Sequence, residues 1–452
     1  MGLEEVRYII TKDWILLTTM NRYLQKTPQV APKNEVVAEI GSLTMEFTRV
    51  SQLTGNPKYF DAVQRIANAF EAEQSKTLIP GLWPLTVNAL TLNMHDDTRF
   101  TIGGMADSVF EYLGKQHLLL SGRVPAYATM HTAMIEATKT HLTFEPLLPP
   151  TLKEKYALSP LFVGSVNVKN NNHNISPEGQ HLTCFAGGMF ALGARALRNS
   201  SPAETYEEDM QVARRLTEGC IWSYYATPLG IGPEIFYMHP CRSGRNAVTS
   251  GLEPDHLGAT GDCTWDRSTW LSNLRSLPRD ADKGPGGREQ YAKDKHLDEG
   301  FTQVHEPKYI LRPEAIESVF ILYRTTGDEA LREHAWRMFE AVVRYTRTAV
   351  AFAEIPDVMT PPRGGKADLH DGNEDDDDDG YDDDGKVEGG VQQKDGMESF
   401  WTAETLKYYY LIFEEPDVVS LDEYVFNTEA HPFAWRRNRG GRSRSGSGAG
   451  AV

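Results

Sequence analysis

The stretch LRPEAIESVFILYRTTGD, residues 311–328, predicts a helix that ends in a tight turn. Pro313 suits the first helical turn, and apolar side chains recur at helical spacing from Ile316 to Tyr323. Gly327 marks the turn, and a second amphipathic segment follows it as far as residue 346. The stretch therefore predicts a helical hairpin.

The same helix–turn–helix form recurs along the chain. Residues 39–72 repeat it around the turn TGNP at residues 54–57, and similar pairs can be drawn through 103–143, 183–225 and from 398 to 413 onward. Strand-like alternation is scarce. We therefore predict an all-α fold in which stacked helical hairpins close into a toroid or solenoid.

Acidic residues occur at corresponding places, at or near the start of the first helix of a pair or between two pairs. They are Glu46, Asp107, Glu111, Glu234, Glu314, Glu317 and Glu404. A single acid at a helix start is ordinarily a solvated group that favours the helix dipole. Several in equivalent positions would converge at one end of a barrel. Together with the aromatics Phe400 and Trp401 they suit a sugar-cleaving pocket, where one acid protonates the leaving oxygen and a base activates water.

Composition narrows the function classes. The chain has 452 residues, 40% of them hydrophobic, so it can bury a large core. The net charge of −17 implies no general affinity for nucleic acid. No apolar window is long enough to span a bilayer, and the first residues, MGLEEVRYII, are acidic where a signal peptide is basic. Serine-triad, P-loop and dinucleotide motifs are absent.

Three segments are predicted to be insertions or tails. Residues 239–300 are rich in Gly, Asp, Arg and Pro, and residues 355–395 contain the run NEDDDDDGYDDDG at 373–385. That run lacks the spaced ligands of a calcium-binding loop, so we expect a solvated, disordered loop. Residues 434–452 form a basic tail, which we expect to be disordered.

Six strings together resemble glycoside hydrolase family 47, the class I α-1,2-mannosidases of the fungal type. They are AEIGSLTMEF (38–47), GGMADSVFEYLGKQ (103–116), HLTCFAGGMFALGA (181–194), LRPEAIESVFILYRTTGD (311–328), MESFWTAETLKYYYLIF (397–413) and VFNTEAHPF (425–433). Members of that family have an (αα)7 barrel, remove α-1,2-linked mannose from N-glycans with inversion, and use one calcium ion. The resemblance implies a mannosidase-like barrel at 38–433, interrupted by the two insertions and preceded by a divergent segment at 1–37.

The resemblance also implies roles for individual residues. Asp107 and Glu314 match the two carboxylates discussed as the base, without a choice between them, and Glu234 matches a further catalytic acid. Thr428 matches the threonine whose hydroxyl and carbonyl bind calcium, with Glu429 beside it. The residues expected to line the mannose subsite or to hold waters around the metal are Glu46, Glu111, His181, Arg312, Glu317, Phe400 and Glu404.

The cysteines are predicted to be structural. Cys184 and Cys220 match the disulfide typical of active members of the family. Cys241 and Cys263 lie in the insertion, where they either pair with each other or stay free. No C-x-x-C pair is present.

The sequence departs from the family pattern in two places. The F-E-x-T-I-R motif, which carries the usual general acid, does not occur before Ala38, and the spacing of Glu4 and Glu5 to Arg7 does not reproduce it. Gln180 replaces the aspartate usual before His181. We therefore expect an incomplete (αα)7 barrel with little or no activity as given.

Two functions follow from the sequence. The first is an α-1,2-mannosidase, read from an incomplete gene model, and the second is a catalytically impaired, glycan-binding or degenerate relative. An in-frame F-E-x-T-I-R exon upstream would favour the first. By resemblance we expect a high-mannose N-glycan substrate, bound calcium, a monomer, and a location in the secretory pathway, either in the endoplasmic reticulum or Golgi or secreted. The partners are not expected to include nucleic acid.

Overall fold

The computed structural model describes residues 31–170, 172–249, 263–277, 287–362 and 390–435. The predictions for Glu4 and Glu5, for the acidic run 373–385 and for the tail beyond residue 435 lie outside these residues.

Helices form the framework. In chain order they are α1 Val37–Gly41, α2 Thr44–Thr54, α3 Lys58–Gln74, α4 Asp107–Leu119, α5 Pro125–His141, α6 Pro150–Lys155, α7 Phe185–Leu197, α8 Ala203–Tyr225, α9 Arg245–Thr249, α10 Arg267–Ser272, α11 Gly287–Asp294, α12 Glu314–Thr326, α13 Ala330–Thr346 and α14 Leu406–Phe413. A 3-10 turn, His181–Cys184, leads into α7, and a π-helical turn, Trp401–Thr405, leads into α14.

Four of the five predicted hairpins are present, as α2–α3, α4–α5, α7–α8 and α12–α13. The fifth, predicted from residue 398 onward, is not: in the described residues α14 is followed by the strands Tyr424–Phe426 and Pro432–Ala434, since Pro416 comes soon after α14 and does not favour a further helix. The first helices of the four hairpins contact one another in chain order, from α2 through α4 and α7 to α12, which contacts α14. The two predicted turns have the same physical basis. Gly55 and Gly327 end α2 and α12 with φ of 69° and 73°, a left-handed conformation that favours glycine.

Short antiparallel strands surround the helices, which the sequence did not reveal. They are β1 Glu35–Val36, β2 Thr86–Val87, β3 Arg99–Phe100, β4 Thr143–Pro146, β5 Phe162–Val163, β6 Ser165–Lys169, β7 Asn172–Ser176, β8 Glu178–Gln180, β9 Ile235–Met238, β10 Pro240–Ser243, β11 Phe301–Glu306, β12 Tyr424–Phe426 and β13 Pro432–Ala434. Their sheet orders are β1-β2, β3-β6-β7, β10-β4-β5, β11-β9-β8 and β12-β13. Such strands are too short for alternation to show.

In the main core, aromatic side chains pack one hairpin against the next. Trp83 stacks on Phe110 with ring centroids 5.4 Å apart and meets Phe70 edge-on at 5.0 Å. A second, smaller core is built from Trp270, Leu274 and Ala292. The part of the predicted insertion 239–300 that the structure describes is therefore folded.

The β12–β13 hairpin enters the ring of first helices. Phe426 lies 5.9 Å from the ring of Phe320 on α12 and 5.7 Å from that of Tyr408 on α14. Its loop, residues 427–431, reaches α2 and α4 through hydrogen bonds of Asn427 and Thr428. The hairpin thus brings the NTEAH loop to the same end of the ring as the helix starts.

Candidate active site

Asp107 is the first residue of α4, and its carboxyl is largely removed from water. Burial raises the pKa of Asp107 to about 6, and the charges of Glu111 and Glu314 act in the same direction. The backbone N–H of Ser108 donates to Asp107 Oδ1 at 2.8 Å and opposes the shift. Asp107 therefore lies beside two other acids and has a proton affinity near neutrality.

Glu314 is the first residue of α12, and two basic side chains face it. His181 Nδ1 lies 3.2 Å from Glu314 Oε2, and His181 Nε2 lies 2.8 Å from the hydroxyl of Tyr224. Arg312 Nη1 donates to Glu314 Oε1 at 3.4 Å. The histidine predicted for the subsite is thus buried and fixed at both ring nitrogens.

Glu234 is joined to this group through Arg312. Both Glu234 oxygens accept from Arg312 Nε at 2.8 Å, and the guanidinium lies 5.8 Å from the ring centre of Phe400. Leu311, next to Arg312, has φ of 70°, which is unusual for a residue with a Cβ. The hydroxyl of Thr405 donates to the Leu311 carbonyl at 2.7 Å, so the π-helical turn holds this backbone.

Glu111 and Glu317 share one buried cation that the sequence reading missed. Lys115 Nζ contacts Glu111 and lies 3.0 Å from Glu317 Oε1, and its side chain is 2% exposed. Burial raises the pKa of Glu317 to about 7, opposed by Lys115 and supported by the charge of Glu111. The sequence feature that could have indicated this ion pair is the four-residue spacing of Glu111 and Lys115, which places them on one face of a helix.

Glu404 lies in the π-helical turn, a local form often found at functional sites. Burial raises the pKa of Glu404 to about 8, and the charges of Glu317, Glu314, Glu429 and Glu111 add to the shift. Because Glu404 and these four carboxylates come from different segments of the chain, their repulsion of Glu404 arises only in the folded protein.

Glu46 connects the acids to the NTEAH loop. Its Oε1 accepts from the Tyr112 hydroxyl at 2.6 Å and from Asn427 Nδ2 at 2.8 Å. The backbone N–H of Thr428 donates to the same Tyr112 hydroxyl at 3.1 Å. The second oxygen, Glu46 Oε2, is buried without a hydrogen-bond partner in the described structure. Tyr112 and Asn427 were not predicted for the site.

The donor set around Thr428 fits a hard cation. Carboxylates outnumber the cations that face them, which are Lys115, Arg312 and Lys407. Burial, and then the charges of the neighbouring acids, raise the pKa of Glu404. The unpartnered Glu46 Oε2 and the oxygens of Thr428 are of the type that calcium prefers. Thr428 itself is half-buried and Glu429 is exposed.

Two other clusters of acidic and cysteine side chains in the described residues have the geometry to bind a metal ion, but their side chains already have protein partners. Cys241 and Cys263 of the first group form a disulfide with Cα atoms 5.4 Å apart. In the second, Glu208 and Asp209 bind Lys139 Nζ at 2.5 and 2.8 Å. Neither group coincides with the predicted calcium site.

Cys184 and Cys220 form the disulfide that the family resemblance implied, with Cα atoms 5.9 Å apart. The bond joins the start of α7 to α8, and the Ser318 hydroxyl on α12 donates to the Cys184 carbonyl. The disulfide therefore ties together the helices beside His181 and Glu314.

The structure places all of the predicted site residues in one connected region. Contacts or electrostatic coupling link the acids, His181, Arg312, Phe400 and Thr428 through the partners described above. The helix starts are separated widely along the chain, so the ring of helices creates this proximity.

The amino-acid sequence is similar to those of known proteins. The profile of glycosyl hydrolase family 47 matches residues 10–372 and 378–435. A mannosyl-oligosaccharide 1,2-alpha-mannosidase, MNS3 of Arabidopsis thaliana, is 29% identical over 414 residues, which are 89% of this chain and 53% of that protein. The human mannosyl-oligosaccharide 1,2-alpha-mannosidase IC is 29% identical over 89% of this chain and 47% of its own length. The chain thus spans about half the length of these curated relatives.

The fold is also similar to that of a solved structure. The alpha-1,2-mannosidase from Trichoderma reesei superposes with a TM-score of 0.64 at 29% identity, covering 90% of this chain and 68% of that chain. Within the described residues, the helices all lack the combination of length and apolar character needed to cross a bilayer.

Proposed function

Because the chain belongs to glycosyl hydrolase family 47, we propose that it hydrolyses α-1,2-linked mannose on high-mannose N-glycans with inversion of configuration. The observation that carries the proposal is the group of carboxyls gathered at the helix starts, where the charge of Glu314 adds to burial in raising the pKa of both Asp107 and Glu404. Inverting hydrolysis needs such carboxyls on opposite sides of a sugar ring.

Asp107 and Glu314 are the candidates for the base that takes a proton from the attacking water. Asp107, with a pKa of about 6, is ionised at neutral pH and still basic enough to accept a proton. Glu314 is oriented by His181 and Arg312. Substituting each carboxyl separately distinguishes the two.

Glu234 is the third carboxyl that we propose to act, as proton donor to the leaving oxygen. In the free protein both of its oxygens accept from Arg312. The role therefore requires the guanidinium to move toward Glu314, whose Oε1 is 3.4 Å from Arg312 Nη1. Phe400, beside the guanidinium, offers an aromatic face for a pyranose ring.

Calcium is the proposed cofactor. Thr428 would hold it, together with waters positioned by Glu46, Glu317 and Glu404. When bound, the ion supplies positive charge that orients sugar hydroxyls. The chain's own residues restrict this position, since Tyr112 fixes both Glu46 and the Thr428 backbone.

The proposed location is the secretory pathway. Two disulfides occur among the described residues, and none of the cysteines there is free. Stable structural disulfides form in oxidising compartments. High-mannose N-glycans are presented in the same compartments.

The test uses the purified 452-residue protein with a high-mannose N-glycan and calcium. Mass spectrometry detects released mannose, and proton NMR of the first product identifies its anomer, which inversion predicts to be β. Asp107→Asn and Glu314→Gln should each lower turnover, whereas Asp61→Asn, at an exposed position on α3, should not. Undiminished turnover in both site variants would contradict the assignment.

A second candidate is a glycan-binding relative without turnover. It is favoured by one structural observation, the contact of Arg312 Nε with both oxygens of Glu234, which makes this carboxyl an acceptor where the hydrolase needs a proton donor. Calorimetric binding of the glycan without mannose release, lost on removal of calcium, would support this candidate over the hydrolase.

A further inference from the structure

Gln180 is a polar residue of the site region to which the proposed chemistry assigns no role. It ends β8 directly before His181, and its side chain spans two elements. Gln180 Oε1 accepts from the backbone N–H of Gly104 at 3.2 Å, and Gln180 Nε2 donates to Glu178 Oε1 at 2.7 Å. The side chain thus joins β8 to the turn that precedes Asp107.

Glu178 extends this link across the sheet. Its Oε2 accepts from the hydroxyl of Tyr237 on β9 at 2.5 Å. The guanidinium of Arg275 lies 4.2 Å from the centre of the Tyr237 ring, and the Arg275 backbone N–H donates to Thr302 on β11 at 2.9 Å. All three strands of the β11-β9-β8 sheet therefore support the carboxylate that orients Gln180.

The turn that Gln180 holds is the start of α4. The Gly103 carbonyl accepts from the backbone N–H groups of Ala106 and Asp107, both at 2.9 Å. A Cβ added at Gly103 would lie 2.6 Å from Gln180 Oε1 and 2.7 Å from Thr183 Cγ2. The contact is thus close enough for the side chain of Gln180 to restrict where the turn lies.

The start of α4 has little local support. Ala106 occupies the N-cap position, where it has no side-chain oxygen to cap the helix. Met105 has φ of 74°, a left-handed conformation that is unfavourable for a residue with a Cβ. A helix start with a weak cap and a strained turn depends on tertiary contacts for its position.

We propose that Gln180 is a positioning residue for Asp107, acting through its hydrogen bond to Gly104 to fix the turn that aims the Asp107 carboxyl at Glu314. The expected effect of Gln180 on turnover rests on the proposed function. Its restraint on the turn before Asp107 can be measured in a protein without activity. Glu178 and Tyr237 keep the Gln180 amide in the required orientation.

The first experiment measures backbone amide exchange at Gly104. Gln180→Ala should increase the exchange rate of this amide by about tenfold, because its acceptor is removed, while amides in the middle of α4 keep their rates. Gln290→Ala, at an exposed glutamine on α11, is the matched control and should leave Gly104 unchanged. Unchanged protection of Gly104 in Gln180→Ala would overturn the proposal.

The second experiment exchanges the residues at positions 178 and 180 and measures turnover. Gln180→Glu places two carboxylates against each other and should lower kcat for an α-1,2-mannobiose substrate about tenfold, with KM within about twofold. The double variant Gln180→Glu/Glu178→Gln restores a donor at 178 and acceptors at 180, so kcat should recover to within about threefold of the unmodified protein. Because the pair keeps its volume, this test does not depend on Gln180→Ala folding.

The dependence of kcat on pH distinguishes a loss of Asp107 positioning from a general loss of folded protein. The groups that face Asp107 are Ser108 and Glu111 on α4 and Glu314 on α12. Glu314 in turn contacts His181 and Arg312. A loosened turn admits water to Asp107, so the acid limb of kcat in Gln180→Ala should move about one unit lower.

The outcomes distinguish this proposal from the proposed function. If the unmodified protein releases no mannose, the proposed function fails, and amide exchange at Gly104 still decides the restraint. If the unmodified protein is active but the double variant is no better than Gln180→Glu and the pH limb does not move, Gln180 does not position Asp107.

Discussion

Removing calcium is expected to leave a protein whose stability falls as the pH rises from 6.5 to 8.5. Burial raises the pKa of Glu404 to about 8 and that of Glu317 to about 7, above the ordinary value of 4.5. The folded protein therefore binds more protons than the unfolded chain between these values. For these two groups the free energy of unfolding is highest below about pH 4.5 and falls until the pH has passed 8, so it decreases across the interval from pH 6.5 to 8.5.

The size of the effect follows from the two shifts. Between pH 6.5 and 8.5 they lower the free energy of unfolding by about 2 kcal/mol, mostly through Glu404, once screening on its solvent side is included. Buried His131 and half-buried His334 have a pKa lowered by burial from 6.5 to about 4, so in the unfolded chain they lose their protons near the lower end of this interval and oppose the decrease by at most about 0.4 kcal/mol each. The net decrease of about 1 to 2 kcal/mol corresponds to about 1 to 2 °C in the thermal midpoint of a chain of this length, at about 2.1 cal/mol/K of unfolding entropy per residue.

The assay is thermal unfolding followed by near-ultraviolet circular dichroism. The protein is treated with chelator, exchanged into metal-free buffer, and measured at constant ionic strength. Glu404→Gln should remove most of the pH dependence, while Glu398→Gln, an exposed glutamate nearby in sequence, should retain it. Added calcium should also flatten the curve, since a bound cation lowers the pKa of neighbouring acids. A midpoint that is constant or rises between pH 6.5 and 8.5 in the metal-free protein would refute the reasoning.

Three further predictions concern single elements of the site. Lys115→Met leaves two buried carboxylates unpaired and should lower the free energy of unfolding by about 3–5 kcal/mol in urea titrations at pH 7.5. Lys293→Met, at an exposed position, should have little effect, and equal stabilities of the two variants would contradict a buried ion pair. Asp107→Asn should lower kcat at least about 100-fold with KM changed less than about threefold, and an effect on KM alone would exclude it as the base. Replacing Cys184 and Cys220 with serine opens a loop of sequence separation 36 and should cost about 3–4 kcal/mol by denaturant unfolding, with an unchanged midpoint as the contrary result.

Several parts of the site could not be found from the sequence because they depend on contacts between distant segments. Lys115 reads as an ordinary helix residue until Glu317, on another helix, is placed 3.0 Å from it. The π-helical turn at Trp401–Thr405 has no distinct sequence signal, although it sets the direction of Glu404. The short strands were missed for a related reason, since two to six residues carry too little alternation and their partners are remote.

By itself the sequence determined the helical hairpins, because periodic apolar residues and left-handed glycines such as Gly55 and Gly327 act within a few residues of chain. The six motif strings likewise identified the family and the candidate acids. Only the tertiary structure decided the charge state and orientation of those acids. Burial, mutual repulsion and the partners His181 and Arg312 arise when separate helices meet, and a pKa responds to that surrounding rather than to neighbours in sequence.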